Sequence, residues 1–257
     1  MKIYKTLVYF WFGAQTFAFR DLKTRYAGSL LGVIWIILYP LSMATITSVV
    51  FALAFQKTVE NVPFFLYTLA GFSAWIFFVQ TITSSARSLV QNRDIIINNN
   101  MSTELILGGV VLSRCVDLTI TTFFLIVVSR IVGTFSFNPL LFAESVLALL
   151  FVTCIISMIV SAGNVYFRDV QALIDIFLNI LFYATPIIYP LSAVPGRYLW
   201  IFNLNPLTPI FSGFRASILP VSFDFLSLNW ILITSFILMI IFFAVYKYLE
   251  KKFAEFL

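Results

Sequence analysis

The chain has 257 residues, 61% of them hydrophobic and 11% charged, with a net charge of +5 and a mean hydropathy of +1.01. Soluble domains carry about a quarter charged residues, so this composition excludes a cytosolic enzyme, a disordered chain and a disulfide scaffold, and reads as an integral membrane protein. There is no His, and both cysteines, Cys115 and Cys154, lie inside apolar runs, which removes a His-based triad and a Cys/His metal site; the basic surplus reports membrane topology before it suggests nucleic acid.

In residues 1–19, Tyr4, Leu7, Val8, Trp11, Ala14 and Ala18 recur at helical spacing, with Lys2, Thr6, Gly13 and Arg20 elsewhere. The pattern predicts an amphipathic helix in the headgroup plane, its Trp and Tyr at interface depth. The competing reading is a signal peptide. No small-x-small cleavage site follows, however, and a charged run begins at Arg20.

At about 1.5 Å per residue, a helix needs roughly 20 apolar residues to cross the hydrocarbon. Six stretches qualify: 30–55, 63–86, 105–129, 140–165, 170–190 and 226–248. They are too long and continuous for barrel strands. The expected fold is an all-α integral membrane protein: one transmembrane domain over 1–257, with six transmembrane helices. Gly28 and Gly32, four apart where the first span begins, have the spacing that permits close helix contact. After the second span, residues 87–100, with Arg87, Arg93 and Asp94, form a compact polar excursion. It reads either as a plain interhelical loop or as a short helix seated in a groove of a soluble partner.

Polar groups at membrane depth are costly and face a bundle interior or an aqueous path. In the third span Arg114 and Asp117 stand at i,i+3, suited to a self-satisfied pair that locks spans together or to a substrate role. In the fifth, Gln171, Asp175, Asn179 and Tyr183 recur every four residues as one winding stripe. Asp175 reads equally as an interfacial carboxylate. Trp35, Tyr39, Trp75, Phe78, Tyr183 and Tyr189 accompany polar or helix-breaking neighbours. Such faces stack on sugar rings, and a wide aromatic lining would let a polymer slide without being held.

Residues 191–220 are apolar but broken: of nine prolines, six lie between positions 186 and 220. Backbone broken at membrane depth must be buried in protein or line a wet cavity. Two readings compete, a pair of short re-entrant helices in the outer leaflet and a surface hairpin packed on the bundle. On the first, Pro195, Arg197, Tyr198, Phe202 and Arg215 form an outer gate above an aqueous vestibule. Arg197 and Arg215 there meet an anionic headgroup or snorkel to lipid phosphates.

With the N-terminus inside, the inner segments carry eleven Lys and Arg residues and the outer side four (Lys57, Arg130, Arg197 and Arg215), as the positive-inside rule expects. No extramembrane stretch is long enough for a domain, and no Gly-rich phosphate loop ending in Lys-Ser/Thr appears. Nucleotide energy must come from another chain. A membrane glycosyltransferase would want paired carboxylates near one face, but Asp117, Glu144 and Asp175 are scattered over three spans.

Three runs carry a family resemblance. Arg20-Asp-Leu-Lys-Thr-Arg-Tyr-Ala-Gly-Ser-Leu-Leu-Gly-Val-Ile-Trp35, with Tyr39-Pro40-Leu41 after it, resembles the start of the first span of polysaccharide-exporting ABC transporter permeases. Asn164-Val-Tyr-Phe-Arg-Asp-Val170, continuing to Phe182-Tyr-Ala-Thr-Pro-Ile-Ile-Tyr-Pro190, is similar to their fourth-to-fifth span region. Asn205-Pro-Leu-Thr-Pro209, followed by Phe214-Arg215, resembles their re-entrant segment. The likeness is strongest to the O-antigen (Wzm-like) type; teichoic-acid and capsular-polysaccharide permeases share the motifs, and a drug exporter of the same fold is disfavoured only by these runs.

The resemblance implies a homodimer joined by two separate ATPase subunits, which hold ATP and Mg, with no cofactor in this chain. The complex would move an undecaprenyl-pyrophosphate-linked glycan across the bacterial inner membrane, both termini cytoplasmic. It further implies ATPase contacts along residues 4–19 and 87–100, with Arg87, Arg93, Asp94, Arg168 and Asp169, and a gate along 195–219.

Overall fold

The computed structural model describes residues 2–54, 58–99 and 101–256. Lys57 of the expected outer turn lies outside the described residues, as does Asn100; the side chains of residues 2–9, among them Tyr4, Leu7 and Val8, are likewise outside. The chain is almost wholly helical. Helix α1 (Lys2–Tyr26) is followed by a 3-10 turn, Gly32–Ile34, which leads into α2 (Trp35–Ala54). A small hairpin, β1 (Thr58–Val59) with β2 (Val62–Pro63), turns through Glu60 and Asn61, both at positive φ, into α3 (Phe64–Gln91). Then come α4 (Arg93–Asn99), α5 (Thr103–Val132), α6 (Pro139–Tyr166) and α7 (Val170–Tyr183). Two 3-10 turns precede the short helices α8 (Leu199–Leu204) and α9 (Leu207–Ala216), and α10 (Phe225–Phe256) closes the chain.

Among the described residues five helices are long and apolar enough to cross a membrane, within α2, α3, α5, α6 and α10. Helix α3 is the central post, 78% buried through its apolar window against 11% for α10. It packs against α2, α5 and α6, while α10 lies on α6. The core is rich in Phe and Leu, with Phe77, Phe78, Leu125, Leu149, Phe211 and Phe214 nearly inaccessible. Local chemistry sets the turns. Gly133, in the left-handed conformation, caps α5, and its neighbour Thr134 donates back to Ser129 O. Asn138 caps α6, its Oδ1 accepting from Leu141 N at 3.1 Å, with Pro139 at the first helical position.

Three expectations need correction. Helix α1 does not end near residue 19: it runs to Tyr26 and packs along α5 in one register. Gly13 faces Leu105 and Phe17 faces Gly109, and at the same offset of 92 residues Asp21 accepts from Ser113 and Arg25 donates to Asp117. A constant offset over these four levels means that α1 and α5 run nearly parallel, so this part of α1 follows a span rather than crossing it. Trp11, expected at interface depth, is 52% exposed, while Phe17, at 5%, packs against Gly109 of α5.

Gly28 and Gly32 do not form a helix-packing face. Both have positive φ in the turn between α1 and α2, with nothing close to where a Cβ would stand. Third, the fifth predicted span is helical only over Val170–Tyr183, 14 residues. That is about 21 Å of helix, short of the roughly 30 Å hydrocarbon core. Pro186 and Pro190 stop it, and residues 184–190 continue as turns.

Candidate functional site

A polar cavity of about 920 Å³ opens between α1, α2, α3 and α5. Its floor is an ion network that the α1–α5 register brings together. Arg25 donates to Asp117 Oδ2 at 2.6 Å, to Ser113 Oγ at 2.9 Å and to Asp21. Arg114 donates to the same Asp117 oxygen at 3.2 Å, to Gln80 Oε1 at 2.5 Å and to Ser84 Oγ at 2.7 Å. Gln80 and Ser84 stand one turn apart on α3, so α1, α3 and α5 are tied at one level. Burial works against the Arg25 charge, but Asp117 and Asp21 outweigh it and hold its pKa above the usual arginine value. Arg25 therefore stays charged at any physiological pH.

The network is not closed. Arg114 Nε and Asp117 Oδ1 are buried without a hydrogen-bond partner, and both residues border the cavity. The cavity wall carries four arginines, Arg20, Arg25, Arg87 and Arg114, against two aspartates, Asp21 and Asp117. Trp35 and Tyr39 of α2 and Tyr26 of α1 supply its aromatic side.

The other residues singled out in the sequence distribute unevenly. Trp35 and Tyr39 are exposed and border the cavity. Trp75 and Phe78 do not: they are buried within the core, the Trp75 ring lying 5.6 Å from Phe78 and 5.5 Å from Phe182. A large apolar ring on the most buried helix packs before it lines anything. On α7 the stripe turns outward as it rises: Gln171 and Asp175 are half-buried, Asn179 and Tyr183 exposed. With its amide oxygen facing the guanidinium, Gln171 accepts from Arg87 Nε at 2.8 Å and Nη2 at 2.6 Å, so two residues expected in separate sites meet. Arg93 and Asp94 are exposed at the start of α4, and Arg168 and Asp169 are exposed in the turn between α6 and α7.

Around α8 and α9, Pro195, Arg197 and Tyr198 are exposed, and the Phe202 ring meets Tyr189 edge-on at 6.0 Å. Arg215 is the clear correction. Expected at an outer surface, it is 1% exposed. Its guanidinium donates to Tyr67 O at 3.1 Å, Tyr67 Oη at 3.2 Å, Pro186 O at 2.7 Å and Ile187 O. Asn205 donates to Ala184 O at 3.0 Å and Thr185 Oγ1 at 2.8 Å. The backbone broken after α7 is thus satisfied by two side chains of the following segment, where an aqueous vestibule was expected to do so. A buried charge needs such a full set of partners.

Sequence reasoning missed Arg25, Asp21, Arg20, Gln80, Ser84 and Tyr26 as site residues. A usable signal existed for two of them: Gln80 and Ser84 are polar at i,i+4 in an apolar run, like the Arg114/Asp117 pair they meet. Asn164, in the second motif, is structural, its Nδ2 donating to Ala86 O at 2.8 Å to fasten α6 to α3. Among the described residues no three His, Cys, Asp or Glu side chains group as metal ligands would.

The family model for the ABC-2 type transporter matches residues 13–219. Over 240 residues the chain is 29% identical to the O-antigen export system permease protein RfbA of Klebsiella pneumoniae, covering 93% of this chain and 92% of that one. It is 28% identical over 201 residues to the protein of the same name from Myxococcus xanthus, covering 77% and 76%. The polysialic acid transport protein KpsM of Escherichia coli is 23% identical over 239 residues, covering 90% and 91%.

Proposed function

Since the chain belongs to the ABC-2 type transporter family, we propose that it is the membrane permease subunit of a polysaccharide exporter of the O-antigen kind, driven by a separate ATPase. Two copies with two ATPase subunits would move an undecaprenyl-pyrophosphate-linked glycan across the bacterial inner membrane, both termini facing the cytoplasm. ATP and Mg would sit on the ATPase, and this chain would supply the path. Arg93 and Asp94 at the start of α4, with Arg168 and Asp169 in the α6–α7 turn, are exposed and suit the ATPase contact, and the α8–α9 segment suits a gate on the outer side.

The observation that carries this reading is the cavity. A polar, arginine-rich volume of about 920 Å³ inside an apolar bundle, with Trp35 and Tyr39 on one wall, suits hydroxylated rings rather than a greasy solute. The 23% likeness to KpsM keeps a capsular glycan as the second reading. Co-expression with the partner ATPase in a bacterium that makes lipid-linked glycan but lacks its exporter tests the proposal. Glycan at the cell surface that depends on both subunits is expected. Glycan retained in the cytoplasmic leaflet, with both subunits present and assembled, contradicts it.

A further inference from the structure

Two of the four cavity arginines, Arg25 and Arg114, are held by Asp21 and Asp117. The other two, Arg20 and Arg87, form no ion pair among the described residues. The cavity therefore carries a surplus of two positive charges, and that surplus sits on two guanidinium groups that both border it. Asn92 at the end of α3 fixes the first: its Oδ1 accepts from Arg20 Nη2 at 2.5 Å, while its Nδ2 donates at 2.7 Å to Ser88 O. Both arginines are held from behind by neutral partners. Phe17 lies under Arg20, its ring centroid 4.2 Å from Cζ, and the Gln171 amide oxygen faces Arg87. Neutral partners orient a guanidinium and leave its charge uncancelled.

Packing does not require this surplus. Both side chains are exposed at the cavity, so water meets their charge, and an anion in the cavity would take the place of that water. A diphosphate diester carries about two negative charges, and arginine binds phosphate through charge-assisted, often bidentate hydrogen bonds. We propose that Arg20 and Arg87 form the subsite for the diphosphate joining the lipid carrier to the glycan, with Trp35 and Tyr39 facing the sugars beyond it. This assignment rests on the functional reading above and adds to it the group by which the substrate is held. It also gives the α1–α3 junction a role in substrate capture, separate from the outer segment to which anion contact was first assigned.

The test uses the full chain in nanodiscs of phosphatidylcholine, doped with undecaprenyl diphosphate, undecaprenol or phosphatidylglycerol, with native mass spectrometry reading the lipid retained. The wild type is expected to retain undecaprenyl diphosphate, more weakly as salt rises, and to prefer it to both other lipids. Arg20→Gln and Arg87→Gln should each weaken retention by about tenfold, and the double variant further. Arg130→Gln, an exposed arginine away from the cavity, should change nothing. Thermal unfolding of each variant checks that the bundle is intact. Wild-type retention by a folded double variant overturns the subsite. So does equal retention of phosphatidylglycerol, which would mark a general anionic-lipid surface. Either result leaves the exporter reading standing if wild-type chain and ATPase still deliver glycan; failure of that delivery, with retention intact, counts against the exporter reading alone.

Discussion

Gly71 of α3 and Arg215 of α9 fit together because the first has no side chain: the Arg215 guanidinium passes over Gly71 to reach the Ile187 carbonyl, and a Cβ at Gly71 would stand 2.6 Å from that oxygen. Gly71→Ala should therefore displace the guanidinium and lower stability by about 1–3 kcal/mol, as overpacking of a close contact does. Arg215→Met should cost as much or more, since several buried acceptors lose their donor at once. Thermal unfolding in detergent reads both. The double variant should be little worse than Arg215→Met alone, because the two changes remove one contact.

Arg215 also shows where sequence reading stopped. A lone arginine among prolines reads as a surface charge, because its acceptors are 28, 29 and 148 residues away in the chain. Trp75 and Phe78 failed for a related reason: their aromatic chemistry was legible, but their burial depends on α3 being the central helix. Hydropathy identified the spans that became α2, α3, α5, α6 and α10, since continuous apolar length is a local property. It overextended the fifth span because apolar composition persists past the prolines that end α7. The Arg114/Asp117 pair was readable from its i,i+3 spacing, whereas Arg25 and Asp21 joined it only through the α1–α5 register. The glycines at 28 and 32 had the right spacing for helix packing, but spacing alone does not reveal their positive φ.

Removing Asp117 should loosen three helices together. Asp117→Ala leaves Arg25 and Arg114 without their shared carboxylate, and breaking a buried pair costs about 3–5 kcal/mol. Asp117→Asn keeps one acceptor oxygen and should cost less. Limited proteolysis at the α1–α2 turn, followed with temperature, should rank the variants wild type, Asn, Ala. An Ala variant as resistant as wild type would contradict the network.

The parallel register of α1 and α5 predicts a specific crosslink. In a chain with Cys115→Ser and Cys154→Ser, Asp21→Cys and Ser113→Cys should be joined by a short bifunctional thiol reagent, since the native side chains are 2.7 Å apart. A helix lying across α5 in the headgroup plane would leave this pair unjoined.

On the outer segment, Tyr198 is 44% exposed, while Phe202 is partly covered by Tyr189. In the same cysteine-free background, Tyr198→Cys should react quickly with membrane-impermeant thiol reagents added outside cells, and Phe202→Cys more slowly. Both rates should change when ATP and glycan are supplied. Reaction only from the cytoplasmic side would overturn the proposed orientation.

On the proposed function, the glycan passes through the cavity bordered by α1, α2, α3 and α5. A photo-reactive benzoylphenylalanine placed at Tyr39 tests it most directly, with one at Phe123 for comparison, a side chain of α5 that is 68% exposed and outside the cavity. During ATP turnover with the partner ATPase, illumination should attach glycan to the chain from position 39 and leave position 123 free of it. Attachment at 123 with none at 39, while export continues, would place the path elsewhere on the bundle.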